Sequence, residues 1–297
     1  MPDGSALAAP DAAHPTPPRA TGTDAFGERR FGAVNWLGVW TLYKKEVQRF
    51  LKVAAQTVLA PIVTTLLYLT VFLVAFSGAG RDVTMGGAVV PYAAFLPPGL
   101  VMMAVLSNAF QNASSSLIIG KVQGSLVDVL MPPLSPAELT FAFVAGAATR
   151  GLLVGAITAV TIAVFMALSG TPLGMLDPLV ALYFAVVAAV MLGAIGAMAG
   201  MWAEKFDQLA VITNFVITPL TFLSGTFFSV RKEGLPGWVA DASAFNPLFY
   251  LIDGFRAGFI GVSDASVARG AVVTLVLAAA LVAATYVLFR RGYKIKE

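Results

Sequence analysis

Apolar residues run in six long blocks, near 53–76, 97–118, 139–168, 178–200, 209–229 and 268–289, and the breaks between them hold most of the charge. A helix crossing about 30 Å of hydrocarbon needs about 20 such residues, so each block predicts one membrane-spanning helix. Ahead of the first block the period changes. Between residues 34 and 52, Trp36, Trp40, Tyr43, Val47 and Phe50 or Leu51 recur at spacings of three and four, with Asn35, Lys44, Lys45, Gln48, Arg49 and Lys52 elsewhere. This predicts an amphipathic helix in the headgroup layer, its tryptophans at the boundary and its lysines toward anionic lipid. Residues 1–33, with Pro2, Pro10, Pro15, Pro17 and Pro18 among Ala, Thr and Gly, have no apolar period and predict a disordered tail. No basic start with a short apolar core and a small-residue cleavage site precedes residue 50, so the first block is expected to be a retained span.

Two of the breaks have an organisation of their own. In the loop 120–138, Leu126, Val129 and Leu130 predict a short helix with an apolar face, ended by Pro132 and Pro133. A helix so short needs a packing partner, either the amphipathic helix or a cytosolic protein. Ser135-Pro136-Ala137-Glu138 reads as a capping box that starts the third span. Between spans five and six, residues 230–261 are too broken by Gly and Pro to cross the bilayer, yet 235–239 and 245–259 are too apolar for a free loop. Two short re-entrant helices dipping back into the outer leaflet fit that composition. An even number of spans puts both ends of the chain on one side. That side carries thirteen Lys and Arg and the other side five, with Arg150 inside a span, so both termini are expected in the cytoplasm.

Composition narrows the chemistry. With 58% hydrophobic and 12% charged residues and a mean hydropathy of +0.82, the chain reads as an all-α integral membrane protein. There is no cysteine, and the one histidine, His14, sits in the tail, which leaves no thiolate or histidine metal site and no His-based catalytic set. The net charge of +3 arises from basic residues at the membrane surface and does not point to nucleic acid. Inside the spans, Ser107, Gln111 and Ser115 share one helical face, as do Asn108 and Asn112. They are expected to line a substrate path or to bond between helices of a dimer, and Phe222 in span five is placed with them. Arg150 lies 11 residues beyond Leu139, about 16 Å along a helix, so it either snorkels to the interface or faces inward to receive an anionic headgroup. The small residues of 193–200 predict close helix packing.

Four features occur here in one order: the amphipathic helix, six spans, Leu130-Met131-Pro132-Pro133-Leu134-Ser135 after spans two and the loop helix, and Pro247, Leu248 and Tyr250 followed by five residues and Arg256. In these features residues 35–297 resemble the permease subunits of ABC-2 type exporters, nearest the multidrug-type branch. The resemblance implies a bacterial inner-membrane permease, active as a dimer, with two copies of a separate ATPase that bind ATP and Mg. It places ATPase coupling on Lys44, Lys45, Glu46 and Arg49 of the amphipathic helix and on Gln123, Gly124, Asp128 and Leu130 of the loop, and an outer gate at Pro247, Tyr250 and Arg256. Lys121-Val122-Gln123-Gly124 departs from the acid and base usual before that glycine, which implies a less charged ATPase contact. The residues agree on the missing ATPase, since Gly120-Lys121 has Ser115 where a phosphate loop requires its first glycine. The alternative is an ion-coupled secondary transporter. That reading calls for an inverted repeat and intramembrane acids, whereas Asp128, Asp177, Glu204 and Asp207 all fall in loops.

Overall fold

The computed structural model describes residues 34–76, 82–171, 173–230, 243 and 245–294, and the fold is that of the chain from Asn35 onward. The tail 1–33 and the first expected outer helix, around 235–239, lie outside the described residues. Helix α1 covers Trp36–Leu51. Six helices are long and apolar enough to cross a membrane: α2 (Ala55–Phe76), α3 (Tyr92–Val122), α5 (Pro136–Leu168), α6 (Pro178–Trp202), α7 (Phe206–Thr226) and α9 (Val267–Arg291). A short α4 (Leu126–Leu130) follows α3, and α8 (Pro247–Ile260) precedes the last span. The all-α membrane fold is therefore the one expected. An added feature is the hairpin of β1 (Val83–Met85) and β2 (Ala88–Val90), which pairs Val83 with Val90 across a Gly86-Gly87 turn. Both glycines have positive φ, the conformation that two-residue hairpin turns demand.

Helix α3 is the centre of the bundle, with twenty buried residues, while α2 buries only Thr57, Thr65 and Leu69 and so stands at its edge. Two glycine pairs let neighbours grip α3 closely. A Cβ on Gly196 of α6 would lie 2.4 Å from the Phe110 carbonyl oxygen, and one on Gly155 of α5 would lie 2.3 Å from Val105. These are Gly-x-x-x-Gly faces, Gly151 with Gly155 and Gly196 with Gly200, which bring helix backbones together without a hydrophobic driving force.

The amphipathic helix forms where expected, and a second stripe packs on the bundle. Val39, Leu42, Glu46 and Phe50 are buried, while Trp36 and Trp40 are 72% and 61% exposed. The tryptophans face away from the bundle because lipid accommodates them as well as protein does.

The capping box read from Ser135-Pro136-Ala137-Glu138 centres on Glu138. The capping box forms, with the Ser135 N–H donating to Glu138 Oε2 at 2.6 Å, and the Asn35 N–H donates to Oε1 at 2.6 Å. Asn35 in turn caps α1 by accepting from the Gly38 N–H. One carboxylate thus fixes the starts of α1 and α5 together. Glu138→Ala is expected to cost about 2–3 kcal/mol, two charge-assisted bonds to backbone, and to expose 131–138 to protease; Glu138→Gln is expected to retain about half of that. Limited proteolysis with thermal melting in mild detergent measures both.

Candidate functional site

A groove of about 620 Å³ opens between α2, α3 and α7, with Arg49 from α1 and Arg150 from α5 in its wall. Helical periodicity creates it. Thr57, Pro61, Thr64, Thr65 and Tyr68 lie along one face of α2, and Leu100, Met103, Ser107, Asn108, Gln111 and Ser115 along the facing side of α3. From Leu100 to Ser115 the groove follows α3 for about 22 Å. Its ends differ in chemistry: Tyr68, Leu100 and Met103 stand at one, and Ser115 and the two arginines at the other.

Of the intramembrane residues singled out above, Ser107, Asn108, Gln111, Ser115 and Arg150 come together in this groove. Asn112 does not join its wall. It is wholly buried, and both its side-chain and its backbone oxygens accept from Arg49 Nη2, at 3.0 and 2.7 Å. Phe222 sits beyond the apolar end in an aromatic cluster, 4.9 Å from Phe227 and 6.4 Å from Tyr68 between ring centres. The stripe on α2 has a quieter signal in the sequence, Thr57, Thr64, Thr65 and Tyr68 at helical spacing in an apolar block.

Arg49 is held from behind. Its Nη2 lies 3.2 Å from Glu46 Oε2, its Nη1 donates to Ser115 Oγ, and Ser116 Oγ donates to Glu46 Oε1 at 2.7 Å. Glu46 is 2% exposed and packs on Gly146 of α5, where a side chain would displace it. Among the residues expected at the ATPase contact, Glu46 and Arg49 therefore turn into the bundle and tie α1 to α3 and α5. Lys44, Lys45, Gln123, Gly124 and Asp128 are exposed, and Leu130 is half-buried. Leu126 anchors α4 against Gly120, leaving Val127 and Met131 exposed at 60% and 77%. Beside this surface Lys121 Nζ donates to the Met201 and Ala203 carbonyls at the end of α6. Lys294 pairs with Glu204 at 2.6 Å, and that hydrogen bond and charge hold the Glu204 carboxyl below its ordinary range.

At the opposite end the signature residues serve the backbone. Helix α7 breaks at Ser224 and Gly225, the latter at φ +79°, and the break frees carbonyls that water cannot reach. Arg256 is 1% exposed and donates to Gly225 O at 2.8 Å, Thr226 O at 3.5 Å and Phe95 O at 3.1 Å, with its guanidinium 3.8 Å from the Phe95 ring centre. Asn246 Nδ2 donates to Leu220 O and Ser243 Oγ to Leu223 O, while the Tyr92 hydroxyl donates to Phe227 O. Pro247 opens α8 behind the Asn246 cap, and half-buried Tyr250 packs on Gly270 of α9. Asp253 accepts from the Asp264 and Ala265 N–H groups and closes the turn after α8.

Six helices long and apolar enough to cross a membrane surround a two-arginine groove, and a short helix, α8, is clamped onto a broken span. Residues 38–260 match the ABC-2 type transporter family, and the chain belongs to it. It is 32% identical over 257 residues to the inner membrane transport permease YadH of Escherichia coli K12, covering 86% of this chain and 96% of that one. It is also similar to nodulation protein J of Rhizobium leguminosarum bv. viciae, 29% identical over 243 residues with coverage of 80% and 86%, and to nodulation protein J of Rhizobium meliloti, 25% identical over 229 residues with coverage of 76% and 82%. The chain is a membrane-spanning transport permease.

Proposed function

We propose that this chain is the permease half of an ATP-driven exporter that moves a lipid-like or amphipathic molecule outward across a bacterial inner membrane. The observation that carries this reading is the groove between α2, α3 and α7: long, polar at one end and apolar at the other, and open where α2 and α7 stand at the edge of the bundle. Two copies apposed along those edges would enclose it, which supports a homodimer. The end bearing α1 and α4 is cytoplasmic in this reading. There Lys44, Lys45, Gln123, Gly124 and Asp128, with apolar Val127 and Met131 between them, suit docking of two ATPase subunits that bind ATP and Mg. Motion of α1 reaches the groove through Glu46 and Arg49, whose bonds to Ser116, Asn112 and Ser115 join the docking surface to its wall. The segment 230–261 acts as the lid on the outer side. No bond of the substrate is broken by this chain.

Affinity purification from the native membrane, with mass spectrometry of partners and an ATPase assay, tests the reading. A soluble ATPase with vanadate-sensitive turnover is expected in the eluate. Recovery of the permease alone in gentle detergent would overturn ATP coupling in favour of an ion-driven carrier.

A further inference from the structure

Among the described residues, the wall of the groove contains two guanidinium groups and no carboxylate. Arg49 has its counter-ion in Glu46 behind it. Arg150 has none: among the described residues nothing accepts a hydrogen bond from it, and its buried Nε is unpartnered. The same molecule shows the contrasting solution at Arg256, where three backbone carbonyls and an aromatic face receive a buried guanidinium. A cation at membrane depth without such partners is costly, and its persistence calls for an anion that the protein itself does not supply. Snorkelling would take the guanidinium to the headgroup layer on the lipid side; here it lines the groove with Arg49 and Ser115. From there the wall passes through Gln111 and Ser107 to Met103, Leu100 and Tyr68, so charge complementarity at one end is followed by apolar surface.

We infer that Arg150, with Arg49 beside it, binds the oxyanion head, phosphate or carboxylate, of an acidic amphiphile whose chain lies along the groove toward Tyr68. This rests on the permease reading and narrows its substrate class to anions. Binding requires no ATPase, so the two stand or fall by different measurements.

The test is native mass spectrometry of the purified full chain with four probes: oleoyl lysophosphatidate, oleate, oleoyl lysophosphatidylcholine and inorganic phosphate. The acidic amphiphiles are expected to bind about tenfold or more tighter than the zwitterionic one, the factor that one charge-assisted hydrogen bond supplies. Arg150→Gln is expected to erase that difference by weakening the acidic probes most, and Arg150→Lys to keep most of it. Equal affinity of the wild-type chain for acidic and zwitterionic probes overturns the inference, whether or not Arg150→Gln folds. Phosphate binding as tightly as lysophosphatidate also overturns it, since the chain of the amphiphile would then contribute nothing. Charge selectivity that survives in Arg150→Gln would move the site away from Arg150 and refute the assignment.

Discussion

Arg256→Ala is expected to abolish recovery of a folded, monodisperse protein, and Arg256→Lys to restore only part of it. The reason lies in the break of α7 at Ser224 and Gly225. A continuous helix satisfies its own carbonyls, but a span that unwinds near its end presents them to a medium that offers no hydrogen bonds. Arg256 reaches across from α8 to the carbonyls of Gly225 and Thr226 and, with Nε, to that of Phe95 on α3. Each buried acceptor left unmet costs about 1–3 kcal/mol, so losing the bonds to the two freed carbonyls alone costs at least ~2 kcal/mol before the cavity is counted. Lysine carries one point of charge on a flexible stem and cannot address three carbonyls in two directions, nor lie flat against the Phe95 ring. Fluorescence-detected size-exclusion chromatography after a temperature ramp measures the effect. If Arg256→Ala were as monodisperse and as stable as the parent chain, the clamp would have no structural weight.

The number and order of the spans were legible because lipid imposes length and hydropathy on each helix separately. The Glu138 capping box was equally legible, since its partners are neighbours in sequence. Contacts between helices were less so. Hydropathy does not distinguish a residue that faces lipid from one that faces protein, and α1 shows the result: Trp36 and Trp40 read as its apolar stripe, yet its packed face contains Glu46, which looks polar until Arg49 and Ser116 meet it. The polar face of α3 announced one wall of the groove through residues 107, 111 and 115. The opposite wall on α2 was quieter, because threonine is ordinary in a span, where its hydroxyl can satisfy itself on the preceding turn. Arg256 was recognisable as notable but not as a clamp. Its acceptors are backbone carbonyls freed by a local break, and these have no side-chain signature.

Gly196→Val is expected to be the other severe change. Helices in lipid gain little from burying apolar surface against each other, so α3 and α6 are held by close van der Waals fit over Gly196 and Gly200. A Cβ at position 196 would sit 2.4 Å from the carbonyl oxygen of Phe110 and 3.1 Å from its Cα. The obstruction is backbone in α3, which has more buried residues than any other described helix, and backbone cannot rotate aside as a side chain would. The helices must separate, by enough to loosen the turn of α3 that carries Gln111 and Asn112 and so to disturb Arg49 and the polar end of the groove. Overpacking of this kind costs on the order of 3 kcal/mol. Gly174→Val supplies the comparison, because among the described residues beyond its chain neighbours nothing lies within 4 Å of a Cβ at that position and the melting temperature should hardly move. Equal melting temperatures for the two variants would mean that the α3–α6 contact has room for a larger side chain at position 196. A selective loss in Gly196→Val, accompanied by weaker discrimination between acidic and zwitterionic probes, would tie the packing of the bundle to the geometry of the groove.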